Sequence, residues 1–327
     1  MQKLHTLDEA RALIQSGKPL LIAGDEALLA ALPKGTWIGG TIPYFMTAEG
    51  GLQTAEKLFI TELPGALRAI VQSYDGAKLP HIAADHPGHG FTVLLLPAFS
   101  EIHAAFAGNV PDYPGIFDRP LVGWVSGVAL GDIGKVSPKV FNGLTGVASS
   151  DLAVALHVVL PETDQATVDI VNLFSQGDGP EITFDAVGFS AKEVSIGGKR
   201  QALASYLIDH KIDSKLPLVA DYHGALVNVS VRNIDAAAGQ VDFYAPVFPG
   251  VTYRIAAPVA DYAKTFADKF SSGGQPVTFS YNCILNYAYA GLEGKSTGRL
   301  VGPMTFGEIA YMLLNQTAVF LTVDRVD

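Results

Sequence analysis

The residues with the richest chemistry crowd one stretch, where His81, His86, His89 and His103 lie close to Asp85 and Glu101. Imidazoles and carboxylates are the ligands of zinc and related metals. His86-Pro-Gly-His89 has an i, i+3 spacing, which a metal could use only if the turn brought both rings together. Pro87 and Gly88 argue for an exposed loop with solvated histidines, so no metal site is assigned. Ser100, Glu101 and His103 contain the letters of a hydrolase triad. No Gly-x-Ser-x-Gly elbow surrounds the serine, and Ser100 reads better as a helix cap. Cys283, the only cysteine, sits beside Ile284 and Leu285 in an apolar strand-to-helix passage, where a thiol is ordinarily inert packing. These residues supply no catalytic set, and neither a catalytic residue nor a cofactor is assigned.

The glycines form a second pattern. Gly39-Gly40 and Gly123 punctuate apolar strands, and Gly302 precedes another, yet neither GxGxxG nor GxxxxGK[ST] occurs. Phosphate cradling is therefore not indicated. Such glycines either let strand and helix pack closely or expose backbone amides to a ligand between two lobes. Gly35/Gly39 and Gly298/Gly302 share a spacing, with Ile38 and Val301 in matching places. Lys18-Pro19 and Gln275-Pro276 each open a strand, LLIAG and VTFSY, that runs into a helical tract. The pattern predicts two lobes of common descent, with Gly39 and Gly302 in equivalent positions; a solenoid would need three or more units.

Elements that could position these residues follow from periodicity and punctuation. Thr6 to Ser16 reads as a helix with Thr6 as cap, Glu9 three residues later and Gly17 as its stop. Lys18–Gly24, Thr36–Ile42, Lys57–Leu63, Phe91–Leu96, Leu121–Val128, Lys139–Asn142 and Leu152–Leu160 read as strands. Asp25–Leu32, the tract from Pro64-Gly65 to about Tyr74, and Ser100–Ala107 read as helices. Asn142-Gly143 marks a turn. Beyond the polar Pro161–Pro180 stretch, a hairpin over Glu181–Val187 and Lys192–Ile196 leads to a helix over Gln201–His210. Pro217–Ala220, Leu226–Val231, Gln240–Tyr244, Thr252–Ala256 and Val277–Tyr281 are further strands. Val259–Phe270 is an amphipathic helix followed by an SSGGQ connector. Glu308 is placed to cap a helix beginning at Phe306. The alternation implies an α/β to α+β fold: two lobes, residues 1–165 and 166–327, with mixed sheets flanked by helices.

Composition narrows the function. Hydrophobic residues make up 49% and charged ones 17% of 327 residues, which suits sheets buried on both faces. A net charge of −10 without a basic patch argues against nucleic-acid partners. DLAVALHVVL and FTVLLLPAF fall far short of the roughly 20 residues that span a bilayer, so no membrane partner is expected. One cysteine and an acidic N-terminal tract point to a reducing, cytoplasmic setting.

The order of several segments resembles the FIST sensory proteins, which carry paired N-terminal and C-terminal FIST regions. GTWIGGT, then PLVGWVSGV with KVFNG and DLAVALHVVL, are similar to the N-terminal region. ITFDAVGFSAKEVSIGGKRQALASYL, VFPGVTYRIAAP, VTFSYNC and GPMTFGEIAYMLLNQTAVFLTV are similar to the C-terminal one. The resemblance spans about residues 17–323. It departs where members often follow the cysteine with glycine and arginine. Here Ile284, Leu285 and Asn286 follow Cys283, and Asn286 cannot replace the arginine charge at a ligand carboxylate. The resemblance implies a stand-alone cytoplasmic sensor of a small ligand, an amino acid or related metabolite, that signals through a protein partner or a homo-oligomer. The candidate ligand residues are Gly39, Gly40, Thr41, Gly123, Trp124, Tyr281, Cys283, Asn286, Gly302, Met304, Thr305 and Glu308. An enzyme using Cys283 in an inter-lobe cleft, and a structural or interaction protein without ligand, are the competing readings.

Overall fold

Three six-stranded sheets, each with the same strand order, organise most of the protein in its computed structural model. The structure describes residues 2–63, 65–222, 224–271 and 277–326. Gln275-Pro276 and most of the SSGGQ connector lie outside the described residues. The chain is a mixed α+β protein, and it divides into two compact units. The larger holds residues 1–170, 263–313 and 318–327, and the smaller holds 171–262 with 314–317. The division is therefore not the sequential one at residue 165. The C-terminal segments join the larger unit because their strands pair with strands near the N-terminus.

Within the larger unit each sheet is built on a strand–helix–strand crossover with a parallel pair. Leu20–Gly24 and Trp37–Thr41 flank the helix Glu26–Ala30. Gly90–Pro97 and Leu121–Ser126 flank the helix Glu101–Asn109. Phe279–Cys283 and Gly302–Thr305 flank the helix Ile284–Ala290. An antiparallel strand lies on the outer side of each first strand: Leu58–Glu62, Ala153–Val159 and Ala318–Arg325 respectively. The edge strands are Gln2–His5, Arg68–Tyr74 and Asp164–Val171. The repeat is thus threefold rather than twofold, all within the larger unit, and the module around Gly123, second in the chain, is the member that the glycine spacing did not show.

The other side of each sheet is completed by a hairpin from a different module. The first sheet takes Val140–Asn142 and Val147–Ser149, which in sequence interrupt the second module. The second sheet takes Glu308–Ala310 and Met312–Leu314 from the third. The third takes Tyr44–Met46 and Gly51–Gln53 from the first. The exchange is cyclic.

The three glycines occupy one position in this scheme. Gly39 pairs with Ile22 on the parallel side and with Phe141 on the hairpin side, and Gly123 pairs with Leu94 and Ile309. Gly302 pairs with Met46 and lies against the carbonyl of Ser280. A methyl group would sit 1.8 Å from Leu94 O at Gly123 and 2.0 Å from Ser280 O at Gly302, but 3.1 Å from Ile22 O at Gly39. The glycines exist for close strand approach.

Two helix expectations fail. Arg68–Tyr74 is a strand because seven of its residues pair with Ala153–Val159, an option local periodicity does not show. The segment from Phe306 enters the hairpin strand Glu308–Ala310, so Glu308 caps no helix. Capping is otherwise as read: Thr6 and Glu9 form a capping box.

The smaller unit contains a six-stranded sheet, a three-stranded sheet of Gly188–Ala191, Gln240–Val247 and Val231–Asp235, and the helix Leu203–Asp209. Its core gathers Phe184, Leu203, Leu207, Phe243 and Tyr253. Asn172 and Asn228 exchange side-chain hydrogen bonds there, and Ser230 accompanies Asn315 and Gln316. Among the described residues no helix is long and apolar enough to cross a membrane.

Alanine at Gly123 or Gly302 is expected to cost about 3–5 kcal/mol, since each methyl meets a carbonyl oxygen and the backbone has a positive φ. G39A should cost about 1–2 kcal/mol. Urea unfolding of the three variants checks the order, and equal midpoint losses would contradict the packing role.

Candidate functional site

All twelve sequence-derived candidates lie in the larger unit and are buried. Tyr281 joins two of the sheets. The Gly123 N–H donates to its Oη at 2.8 Å, and its O–H donates to Ile309 O at 2.8 Å. Burial holds this phenol well above its ordinary pKa, and the nearby Glu308 carboxyl adds to the shift. The Trp124 ring lies 5.8 Å from that of Tyr281, and its Nε1 reaches to 3.1 Å of where a Gly40 methyl would be. Gly40 is thus the hole that Trp124 fills. Thr41 Oγ1 accepts from Lys139 N–H, anchoring the strand that leads to the exchanged hairpin.

Glu308 pairs across the ladder with Trp124, and its Oε1 accepts from the Thr305 hydroxyl at 3.1 Å. Met304, adjacent to Thr305, is fully buried opposite Asn282. Asn282 Oδ1 accepts from the Cys283 N–H and from Asn286 Nδ2. Cys283 is 1% exposed at the start of the seven-residue helix. These residues lie inside the packed sheets, and a methyl group on any of the four glycines would meet protein atoms within 3.1 Å.

An open cleft lies elsewhere, at the carboxyl end of the strand Gly90–Pro97, a place where α/β crossovers commonly bind ligands. It has a volume of about 600 Å³ and is lined by Gly76, Phe99, Ser100, Glu101, Ile102, Ala105 and Asp151. That size falls within the roughly 300–1,000 Å³ of small-molecule sites. Two residues, Ala98 and Phe99, separate the strand from the Ser100 cap; in the other modules the cap follows the strand directly or is its last residue. Phe99 has φ 64°, a conformation that is costly for a bulky side chain, and half its surface is exposed. Its ring stands edge-on to Phe306 at 6.0 Å.

Ser100 Oγ donates to Pro97 O and accepts from His103 N–H, so it is a cap and not a nucleophile. The remaining first-turn N–H groups have no acceptor within a helix and favour a negative partner. Glu101 and Asp151 are exposed carboxylates on the same cleft. Phe99, Gly76 and Asp151 were not recognisable from sequence. The one available signal was the Phe99-Ser100 junction between a buried strand and its helix.

The histidines do not converge. Among the described residues no group of three or more His, Cys, Asp or Glu is placed to hold a metal. His81 is exposed, His89 Nε2 is 2.6 Å from Asp164 O, and His103 is buried on the helix behind the cleft. His86 faces His157, which the sequence did not single out. Burial lowers the pKa of His103 and of His157 to about 4.

A family model described as a family of unknown function (DUF6976) matches residues 5–324. No curated protein matches the chain.

Tyr281→Phe leaves the Gly123 N–H and the Ile309 carbonyl without their partner and should cost about 2 kcal/mol in urea unfolding. A separate prediction concerns acid. His103 titrates at about 4 when folded and near 6.5 when unfolded, so the unfolded chain takes up the proton first. Stability is full above pH 6.5 and falls by up to about 3 kcal/mol as pH drops to 4. His103→Gln should flatten this part of the slope, measured by urea unfolding at pH 7.5, 5.5 and 4.5. An unchanged slope would show that His103 does not carry it.

Proposed function

We propose that this chain, which belongs to the DUF6976 family of unknown function, is a binding protein for a small zwitterionic metabolite such as an amino acid. The observation that carries the reading is the cleft at the start of the helix Glu101–Asn109. Its chemistry suits a zwitterion. The helix N-terminus offers N–H groups to a carboxylate. Glu101 and Asp151 offer carboxylates to an ammonium group. Phe99, Ile102 and Ala105 offer apolar surface to a side chain. The strained, half-exposed Phe99 forms the wall most able to respond to an occupant.

The likeness to FIST proteins supports placing such a binder in signalling, as a cytoplasmic sensor that acts through a partner protein or self-association. Under this reading the twelve buried candidates hold the scaffold, and the contact residues are those of the cleft. The small volume and acidic rim do not suit nucleic acid, which needs clustered cationic side chains.

Thermal unfolding at pH 7.5 with a panel of the common amino acids, matched amines and matched carboxylates tests the proposal. A ligand at 100 times its Kd should add about 2.7 kcal/mol of stability. Zwitterions should shift the midpoint more than either half-molecule, and Asp151→Asn with Glu101→Gln should abolish the difference. No shift across the panel, or a shift that survives the double substitution, would remove the cleft as the site.

A further inference from the structure

A buried chain of polar groups in the second module runs from the interior strand Gly90–Pro97 to the surface. Thr92 Oγ1 is 2.8 Å from His157 Nδ1, and His157 Nε2 is 2.7 Å from Tyr74 Oη. Tyr74 Oη is in turn 2.9 Å from Asp85 Oδ2, which also accepts from Gln72 Nε2. Asp85 ends the 3-10 segment Leu79–Asp85 that lies over this part of the sheet. The chemistry fixes every proton. A carboxylate only accepts, so Tyr74 gives its single hydrogen to Asp85. Tyr74 must then accept from His157 Nε2–H, which leaves Nδ1 bare to accept from the Thr92 hydroxyl. The neutral imidazole completes a one-way chain, and a protonated one reverses its inner link. Thr92 and His157 are at most 1% exposed, so that reversal has no water to turn to.

His86 adds a second imidazole, its ring centre 6.2 Å from that of His157. Both of its ring nitrogens are shielded from solvent and make no hydrogen bond. A neutral imidazole has one donor and one acceptor to satisfy, so the closed segment already carries an unmet donor that opening would hydrate. The charged and titratable groups facing the pair are Asp85, Asp118 and Arg119 around His86, and Tyr74 and Asp85 beside His157. Arg119 opposes a new positive charge on His86, and each imidazole opposes one on the other. Asp85 and Asp118 favour it.

We propose that His86 and His157 form a proton-operated latch. The latch holds the segment Leu79–Asp85 against the sheet while both rings are neutral, and it releases the segment when either ring takes up a proton. Burial lowers the pKa of both imidazoles, which is the direction a closed neutral state requires. Tyr74 lies two residues before Gly76 on the cleft wall, so release loosens one side of the cleft. The latch itself does not depend on what the cleft binds.

Hydrogen exchange read by mass spectrometry on the full chain tests this, with protection corrected for the intrinsic pH dependence of exchange. For His157 alone, closed-state titration at about 4 against an ordinary 6.5 when open predicts about a thirtyfold loss of protection over residues 79–86 between pH 7.5 and 5, and His86 adds to it. The strand Gly90–Pro97 should stay protected. His86→Gln, which leaves the Thr92–His157–Tyr74 chain whole, should reduce the loss, and His157→Gln should reduce it further. Asp85→Asn keeps an acceptor for Tyr74 and should leave the loss in place. Equal protection at both pH values would overturn the proposal. So would a loss of full size in His86→Gln, or one abolished only by Asp85→Asn, which would make the carboxylate the sensor. If His157→Gln does not fold, the comparison of His86→Gln with Asp85→Asn decides alone.

Discussion

In two of the three parallel strand pairs of the larger unit, a carbonyl oxygen of one strand occupies the space where a side chain of the other would begin. Leu94 O stands there against Gly123 and Ser280 O against Gly302. Much of the larger unit follows from that contact. The Gly123 N–H is free to meet the Tyr281 hydroxyl, which ties the second sheet to the third and reaches on to Ile309 in the exchanged hairpin. Trp124, next to Gly123, turns its indole toward Gly40 of the first sheet, where the absence of a side chain leaves room. Large residue and missing residue are matched across modules, as close packing demands.

The three modules share a frame but not its contents, and the differences locate chemistry better than the similarities. On the hairpin strands, Glu308 pairs with Trp124 where the first sheet pairs Val140 with Gly40 and the third pairs Phe45 with Pro303. A single buried carboxyl therefore replaces two apolar neighbours, and the Thr305 hydroxyl accompanies it. At the crossovers, only the second module inserts Ala98-Phe99 before its helix, and a cleft opens beside that insertion. The two departures differ in kind: one is sealed inside the sheets and the other faces solvent.

Local features were legible in the sequence. The Thr6–Glu9 capping box, the Ser100 cap, the turn after Asn142 and the buried run Phe91–Leu96 each depend on residues close in the chain. The equivalence of Gly39 and Gly302 was legible too, because spacing alone carries it. What escaped was whatever depends on pairing at a distance. Arg68–Tyr74 has a helix-compatible pattern and becomes a strand because Ala153–Val159 lies beside it. Glu308 looked like a cap because the partner that draws it into a strand, Trp124, lies far earlier in the chain. The Asp85–Tyr74–His157 chain was hidden for the same reason, with His157 joining Tyr74 from a distant segment. The lobe boundary was misplaced because the smaller unit interrupts the third module after its edge strand.

The cyclic loan of hairpins has a consequence for synthesis on the ribosome. The first sheet cannot close until residues 140–149 emerge, deep within the second module. The third waits for residues 302–305 to reach the hairpin Tyr44–Gln53, made long before, and the second waits for residues 308–314. Two of the three sheets therefore stay incomplete until residues beyond 300 have been made, and the second meanwhile leaves the strand Leu121–Ser126 without its hairpin neighbour. Pairings this distant are slow to form. A nascent chain that has not reached residue 302 thus presents unpaired strand edges of the kind that invite association with other chains.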